Sequence, residues 1–303
     1  MEIEEVINSL KQLDLSSYPR SEILDLFNEV GEIGHIVVSL YPGFTIMRAR
    51  PHRGLPRFTK KSDFLHKPPE FNTTYQRAST PKQTMFYASL LPEKLEPGEL
   101  DMLRLVGFAE TMQHLRDKTK CAYEKISYGR WSVDQEIRLL AIIHKSDYYS
   151  ASNYTRELVH AYEGFIQSAP KEFIERSLRF SEYLSDEFSK EVINHDYDYM
   201  ISALFAEKVT QMGLDGVLYP SVRVLGKGFN IAITPEATKK LSLFVVGECS
   251  VYKRRDNFVV GNDALVELDG DEEEFELQDL EDMQKEYLAE LGVNSIKELE
   301  ECR

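Results

Sequence analysis

The feature that most constrains this chain is the irregular order of its two periodicities. Long stretches of helical spacing are separated by short strand-like runs, without the regular strand–helix alternation of a doubly wound sheet. Residues 2–12 place Ile3, Val6, Ile7 and Leu10 on one helical face. Residues 21–39 do the same with Ile23, Leu24, Leu26 and Phe27, and Ser21 after Pro19 is the expected N-cap. Met102, Leu105, Val106, Ala109, Met112 and Leu115 predict a helix over 100–117. The Ser132-Val133-Asp134-Gln135 pattern reads as a capping box that opens an apolar helix through His144. One long or two shorter helices are expected over 153–193, and another over 197–212. Strands are expected at 44–50, 84–90, 216–219, 229–234 and 241–246. Such a mixture predicts an α+β fold with a mixed β-sheet core, a helical N-terminal extension and an acidic, partly helical C-terminal tail.

Charge divides the chain more sharply than its total suggests. The 303 residues carry a formal net charge of −15. Residues 263–303 hold 16 acidic side chains against 3 basic ones, so this tail supplies −13 of it. Residues 41–82 run the other way, with nine Lys or Arg (Arg48, Arg50, Arg53, Arg57, Lys60, Lys61, Lys67, Arg77 and Lys82) against Asp63 and Glu70. Six prolines break this basic segment, so it cannot be one long helix or central strand. It is either a solvated loop or an anion site, since the guanidinium fork matches phosphate geometry. The tail mixes its acids with Phe275, Leu277, Leu280, Met283, Tyr287, Leu288 and Leu291. It is either a solubilising appendage or an acidic helix that folds over the basic segment and gates the site.

Several chemistries find no support in the residues. Three cysteines without paired spacing draw neither a disulfide framework nor a zinc ribbon. The seven histidines show no metalloprotease spacing, and no metal is expected. Gly226-Lys227-Gly228 reads as a turn rather than a phosphate cradle, and no Gly-x-Ser-x-Gly elbow occurs. The acidic start Met1-Glu2-Ile3-Glu4-Glu5 is unlike a signal peptide, and the run from Leu139 to Ile143 is too short to cross a bilayer. These features predict a cytoplasmic protein with neither membrane nor nucleic acid as partner.

The string Asp215-Gly216-Val217-Leu218-Tyr219-Pro220-Ser221-Val222-Arg223, followed by Gly228-Phe229-Asn230-Ile231-Ala232, resembles the C-terminal signature of the RES domain family. His195-Asp196-Tyr197-Asp198-Tyr199-Met200-Ile201-Ser202 resembles the approach to that signature. Upstream, Arg48, Arg77 and Tyr87 match the family's first arginine, the arginine of a Gly-Arg-x-Asn-like element and the tyrosine of the following strand. Gln76 and Ser79 stand where the family has Gly and Asn. Glu93, Glu96, Glu99 and Glu110 compete for the family glutamate, and Glu110 is favoured because 92–101 reads as an insertion.

The resemblance covers residues 41–247, flanked by an extension at 1–40 and a C-terminal segment at 248–303. It implies a fold similar to ADP-ribosyltransferases and cleavage of NAD⁺ at the nicotinamide–ribose bond, by phosphorolysis or hydrolysis, by a toxin of a toxin–antitoxin pair. On this resemblance Arg77, Glu110 and Ser221 are the catalytic set, and Arg48, Tyr87, Arg223 and Asn230 bind NAD⁺ or phosphate. No cofactor is implied beyond NAD⁺ as substrate and inorganic phosphate as co-substrate. An antitoxin protein and a second copy of the chain are the implied partners. The alternatives are an ADP-ribosyltransferase with a protein target and a catalytically silent binding module.

Overall fold

The structure is a computed structural model of the chain, and it describes residues 1–90, 106–112, 117, 119–269 and 272–301. Ten strands and eight helices make a mixed α+β protein among these residues. The chain divides into two compact units.

The first unit comprises residues 1–41, 66–87 and 136–240. It contains α1 (Ile3–Gln12), α2 (Arg20–Glu29) and β1 (Val37–Leu40). Later come β5 (Ile137–Ala141), α4 (Asn153–Ile166), α5 (Lys171–Phe188), α6 (Met200–Gln211), β6 (Gly216–Pro220) and β7 (Phe229–Ile233). Strand order here is β1-β5-β6-β7. The β1–β5 and β6–β7 pairs are antiparallel, with Val37 opposite Leu140 and Tyr219 opposite Asn230. The β5–β6 pair is parallel, with Leu139 opposite Gly216. A parallel pair needs a crossover, and α4, α5 and α6 provide it. Every residue of β6 and β7 is buried, which is why both read as nearly continuous apolar runs, broken in β7 only by Asn230. The core joins Val6, Ile7 and Leu10 of α1 to Ile23 and Phe27 of α2, and both to α5, α6 and the strands. Phe27, Phe180 and Phe205 meet edge to face at centroid distances of 6.1, 6.0 and 6.2 Å.

The second unit comprises residues 42–65, 88–135 and 241–303. It carries β2 (Thr45–Pro51), the end of β3 (Phe86–Leu90) and α3, helical over residues 106–111. Beyond these lie β4 (Cys121–Val133), β8 (Leu241–Arg254), β9 (Asn257–Glu267), β10 (Gln278–Asp279), α7 (Gln284–Glu290) and α8 (Ile296–Glu301). The order is β3-β2-β4-β8-β9-β10, antiparallel throughout. Gly107 lets α3 approach the sheet, since a Cβ there would lie 3.2 Å from both Ala49 Cβ and Met47 Cε. Phe108 and Met112 then join Met47, Ile126, Tyr128, Val245 and Cys249 in the core. Gly247 lies opposite Tyr128 and leaves room for its ring, which a Cβ would meet at 2.4 Å.

Several expected boundaries change. Helix α2 stops at Glu29, because Gly31 takes φ 73° and the following residues enter β1; Pro19, not Ser21, precedes the first turn. The helix expected over 132–144 is instead the end of β4, a short connection and β5. Asp134 accepts a hydrogen bond from the Ser242 hydroxyl at 2.5 Å rather than capping a helix. Strand β8 runs on to Arg254 and turns through Arg255–Asp256 into β9, a strand the sequence reading lacked. Of the helix expected over 100–117, residues 100–105 and 113–116 lie outside the described residues, as do Glu93, Glu96 and Glu99.

The acidic tail is folded onto the second unit. Lys61 N–H donates to the Glu273 carbonyl at 2.9 Å, and Phe275 N–H to the Thr59 carbonyl at 2.9 Å. Lys60 pairs with Glu274 at 2.7 Å and Arg57 with Asp279 at 2.8 Å. Strand β10 adds to β9, and Leu288, Leu291, Val293 and Leu299 bury against Tyr252. The apolar residues of this segment therefore do what its charge conceals: they anchor it.

Candidate functional site

Strand β6 begins at Gly216, directly after Asp215, and both residues are structural. The Asp215 carboxylate accepts the Arg138 backbone N–H at 2.8 Å and pairs with Lys240 at 2.7 Å. Gly216 lies so close to β7 that a Cβ would stand 2.0 Å from the Ala232 carbonyl oxygen. The strand therefore ends at a fixed point, where Ser221 is fully buried. Ser221 N–H donates to the Gly228 carbonyl at 2.7 Å, and its carbonyl accepts from Gly226 N–H at 2.9 Å. These bonds close a loop whose tip holds Leu225 at φ 53° and Gly226 at φ 78°. Gly226 is required twice over: by its φ, and by the Tyr148 ring, which a Cβ would meet at 2.5 Å. The Gly226-Lys227-Gly228 stretch is thus a turn. Asn230, 7% exposed, sits opposite Tyr219 in β6, at the same end of the strand pair as Ser221.

Two arginines grip one segment beside this strand end. Arg77, 8% exposed, donates from Nη1 to the Phe188 carbonyl at 2.5 Å and from Nη2 to the Lys190 carbonyl at 2.9 Å. Arg223 donates to the Glu191 carbonyl at 3.1 Å. Both cations thus meet the carbonyls at and just beyond the end of α5, where a helix presents negative partial charge. The Arg77 guanidinium also stands over the Tyr199 ring, 5.2 Å from its centroid.

Arg77 is presented by a tight turn in which Gln76 and Ser79 exchange backbone hydrogen bonds of 2.9 and 3.1 Å. These are the two positions that depart from the family pattern, and the turn forms with them. The Ser79 hydroxyl accepts the Met85 N–H at 3.0 Å and lies 2.8 Å from the Tyr87 hydroxyl, which itself accepts the Ala78 N–H at 3.0 Å. Burial pushes the Tyr87 hydroxyl up to about 12, so it keeps its proton at neutral pH. Burial likewise raises Tyr148, against the opposing charge of Lys145 and Arg77. Tyr148 and Tyr199 belong to this cluster, and no sequence motif singled out Tyr148.

The structure brings Arg77, Tyr87, Ser221, Arg223 and Asn230 into the first unit. Arg48 and Glu110 belong to the second. Arg48 lies on β2 opposite Gly129, and Glu110 is a partly buried residue of α3 next to buried Ala109.

The second unit holds a separate polar cluster around Glu248, whose side chain is 2% exposed. Arg57 bonds both carboxylate oxygens, Nη2 to Oε1 at 3.1 Å and Nε to Oε2 at 3.3 Å. Lys125 reaches Oε1 at 3.2 Å and His52 Nε2 reaches Oε2 at 3.3 Å. Burial pushes this carboxyl up, but the Arg57 fork and Lys125 outweigh it and hold it below the usual carboxylate range. The Ser127 hydroxyl is 2.7 Å from the same His52 Nε2. A serine triad needs the hydroxyl and the carboxylate on different ring nitrogens, so Ser127, His52 and Glu248 do not form one. Among the described residues, no three His, Cys, Asp or Glu side chains are grouped to hold a metal ion. Nor is any helix there long and apolar enough to cross a membrane.

These features define an α+β domain that sets arginine, tyrosine and serine side chains about the end of a buried strand pair. Residues 106–251 match the RES domain family. The matched span includes Glu110, Ser221, Arg223 and Asn230, and begins after Arg48, Arg77 and Tyr87. No curated protein and no solved structure matches the chain.

Proposed function

We propose that the chain is an NAD⁺-degrading enzyme, a phosphorylase or glycohydrolase that cleaves the nicotinamide–ribose bond, and the toxin of a toxin–antitoxin pair in the cytoplasm. The observation that carries this reading is the match to the RES domain family over residues 106–251, a span that contains the buried Ser221 strand end. The clustering of Arg77, Arg223 and Tyr87 in the same unit supports it. A fold similar to ADP-ribosyltransferases forms part of the proposal.

Nicotinamide leaves as a neutral group, so the reaction needs no acid to protonate it. It needs a rigidly held ribose and negative charge near the anomeric carbon as oxocarbenium character develops. We assign the charge to Glu110. Ser221 and Asn230 orient the ribose or the amide, and Tyr87, protonated at neutral pH, donates to an acceptor. Arg48, Arg77 and Arg223 supply positive charge for the pyrophosphate or an incoming phosphate. No cofactor is required; NAD⁺ is the substrate and inorganic phosphate a co-substrate. A cognate antitoxin and a second copy of the chain are the proposed partners.

Incubating the purified chain with NAD⁺, with and without phosphate, tests the reading. ADP-ribose-1″-phosphate identifies phosphorolysis, and free ADP-ribose identifies hydrolysis. Label retained on protein identifies the alternative transferase. Undiminished NAD⁺ under every condition refutes the catalytic proposal and leaves a binding module.

A further inference from the structure

Position 187 breaks the pattern of its helix. The buried face of α5 runs through Phe180, Tyr183, Leu184 and Phe188, and Glu187 lies on that face, one turn beyond Tyr183. An apolar side chain is the expected occupant there, yet a carboxylate stands at 7% exposure. Taking a carboxylate out of water is costly unless a partner compensates. That partner is Lys190, whose Nζ lies 2.5 Å from Glu187 Oε2. Burial pushes the Glu187 carboxyl up, and the charge of Lys190 opposes that shift. The proposed chemistry uses neither residue.

The place of the pair supplies a reason for it. Helix α5 ends at Phe188, and residues 190–194 have no regular structure. Arg77 nevertheless needs two fixed acceptors, the Phe188 carbonyl at 2.5 Å and the Lys190 carbonyl at 2.9 Å. The helix itself fixes the first. The second lies two residues past the helix, beyond the reach of its hydrogen-bond ladder. There the ion pair ties the Lys190 side chain back to the last turn of α5. Its neighbours are held by other means. Ser189 donates from its N–H and its hydroxyl to the Asp186 carbonyl, at 3.1 and 3.2 Å, and Arg223 takes the Glu191 carbonyl at 3.1 Å.

The other charged groups around Glu187 have different engagements. Lys11 of α1 is exposed and stands over the Tyr183 ring, 5.8 Å from its centroid, while Asp186 pairs with Lys145 at 2.6 Å. Glu187 is therefore the side chain that restrains position 190. We propose that Glu187 is a positioning residue for Arg77: by holding Lys190 it sets the second carbonyl on which the guanidinium is fixed. The consequence for turnover rests on the reading of the chain as an NAD⁺-processing enzyme, and the consequence for the guanidinium does not.

The test uses the full chain with Glu187→Gln, which keeps the shape of the buried side chain. Lys190→Met, made at the half-exposed partner, keeps the carbonyl and removes the ion pair. Thermal midpoints report whether each folds. Each folded variant is expected to lose about 3- to 100-fold in kcat/KM for NAD⁺, the scale of a misplaced binding group. A loss below threefold in either overturns the assignment. Added to Arg77→Lys, whose fork is already gone, Glu187→Gln is expected to cost less than threefold more. A further loss of threefold or more there means that Glu187 acts by another route, and also overturns it. A second measurement needs no turnover. In the chain labelled with ¹⁵N-arginine, the Arg77 Nη–H resonances, assigned by their loss in Arg77→Lys, are expected to be separate in the parent and to merge in Glu187→Gln as the guanidinium begins to rotate. Unchanged resonances overturn the positioning role. Merged resonances in a chain whose parent leaves NAD⁺ intact overturn the proposed catalytic function and not the positioning.

Discussion

Arg77 is the residue at which the structural and chemical readings can be separated by measurement. Its buried guanidinium donates to the Phe188 and Lys190 carbonyls at 2.5 and 2.9 Å and covers the Tyr199 ring. Hydrogen bonds to a charged group contribute about 1.5–3 kcal/mol each, so the pair contributes about 3–6 kcal/mol. The cation–π contact adds about 1 kcal/mol. Water entering the vacated space in Arg77→Ala returns part of this, so a loss of about 3 kcal/mol is the expected floor. That is a large share of the roughly 5–15 kcal/mol that stabilises a native domain. Thermal unfolding should register it as a fall of at least about 6 °C. Arg77→Lys keeps the charge but has no fork, reaches one carbonyl rather than two, and should lose about half as much. If Arg77→Ala unfolds within about 1 kcal/mol of the parent, the two carbonyl bonds do not hold this segment and the description of the site is wrong. Catalysis is read separately, with NAD⁺ turnover measured well below the variant's unfolding midpoint. A role in gripping phosphate predicts at least a tenfold loss there even in folded Arg77→Lys. Turnover that follows only the folded fraction would leave Arg77 a purely structural residue.

Three further outcomes follow from buried polar groups and tight contacts. His35 and His144 are each held down to about 4 by burial, against about 6.5 in the unfolded chain. Their contribution is therefore complete above pH 6.5 and is lost as pH falls toward 4, by up to about 3 kcal/mol for each. Urea midpoints should fall between pH 7.5 and 5, and His144→Gln should flatten that slope; an unchanged slope counts against the assignment. Glu248→Gln leaves Arg57, Lys125 and His52 facing a neutral amide. Because Arg57 and Lys125 reach solvent, the expected loss is about 2–3 kcal/mol rather than the full cost of an uncompensated buried charge, read as a lower urea midpoint. Gly261→Ala would put a methyl group 2.3 Å from the Tyr287 ring and unseat α7. Protease cleavage within residues 280–301 should accelerate, and an unchanged digestion pattern would contradict this docking.

The gating idea for the tail needs a gentler perturbation than truncation. Cutting at Gly261 would remove half of β9 and uncover Tyr252, so it would test folding instead of regulation. Reversing Glu274 and Asp279 to lysine breaks the pairs with Lys60 and Arg57 and spares the strand. Faster NAD⁺ turnover with weaker salt dependence is the result gating requires, and unchanged kinetics refute it.

The elements that sequence patterning captured are those with one buried face. Helix α5 shows its apolar stripe in Phe180, Leu184 and Phe188, and α1 does so in Val6, Ile7 and Leu10. Strand β5 reads as a helix from sequence because its burial pattern leaves only Arg138 exposed. Ile137, Leu139, Leu140 and Ala141 then form an apolar run without alternation, which helix and strand share. The preceding Ser-x-x-Gln tilted the reading the wrong way. The tail's fold was hidden differently: charge dominates its composition, while a few apolar residues decide its position. Five of these, Phe275, Leu277, Leu288, Leu291 and Leu299, are each 8% exposed or less.

The site divides along a similar physical line. Residues in a contiguous motif were legible, because Asp215, Gly216 and Ser221 are dictated by how one strand starts, passes its neighbour and ends. The partners of Arg77 were not, because Phe188 and Lys190 contribute carbonyl groups, which every residue has and no motif records. The same holds for Tyr148, whose ring packs against a glycine far along the chain that leaves space for it. An arginine cluster read as free positive charge thus includes one cation already committed to backbone carbonyls at its two terminal nitrogens. Phosphate, if it binds here, must compete for Arg77 or use the geometry that Arg77 maintains. Measuring folding and turnover on the same variants separates those two roles.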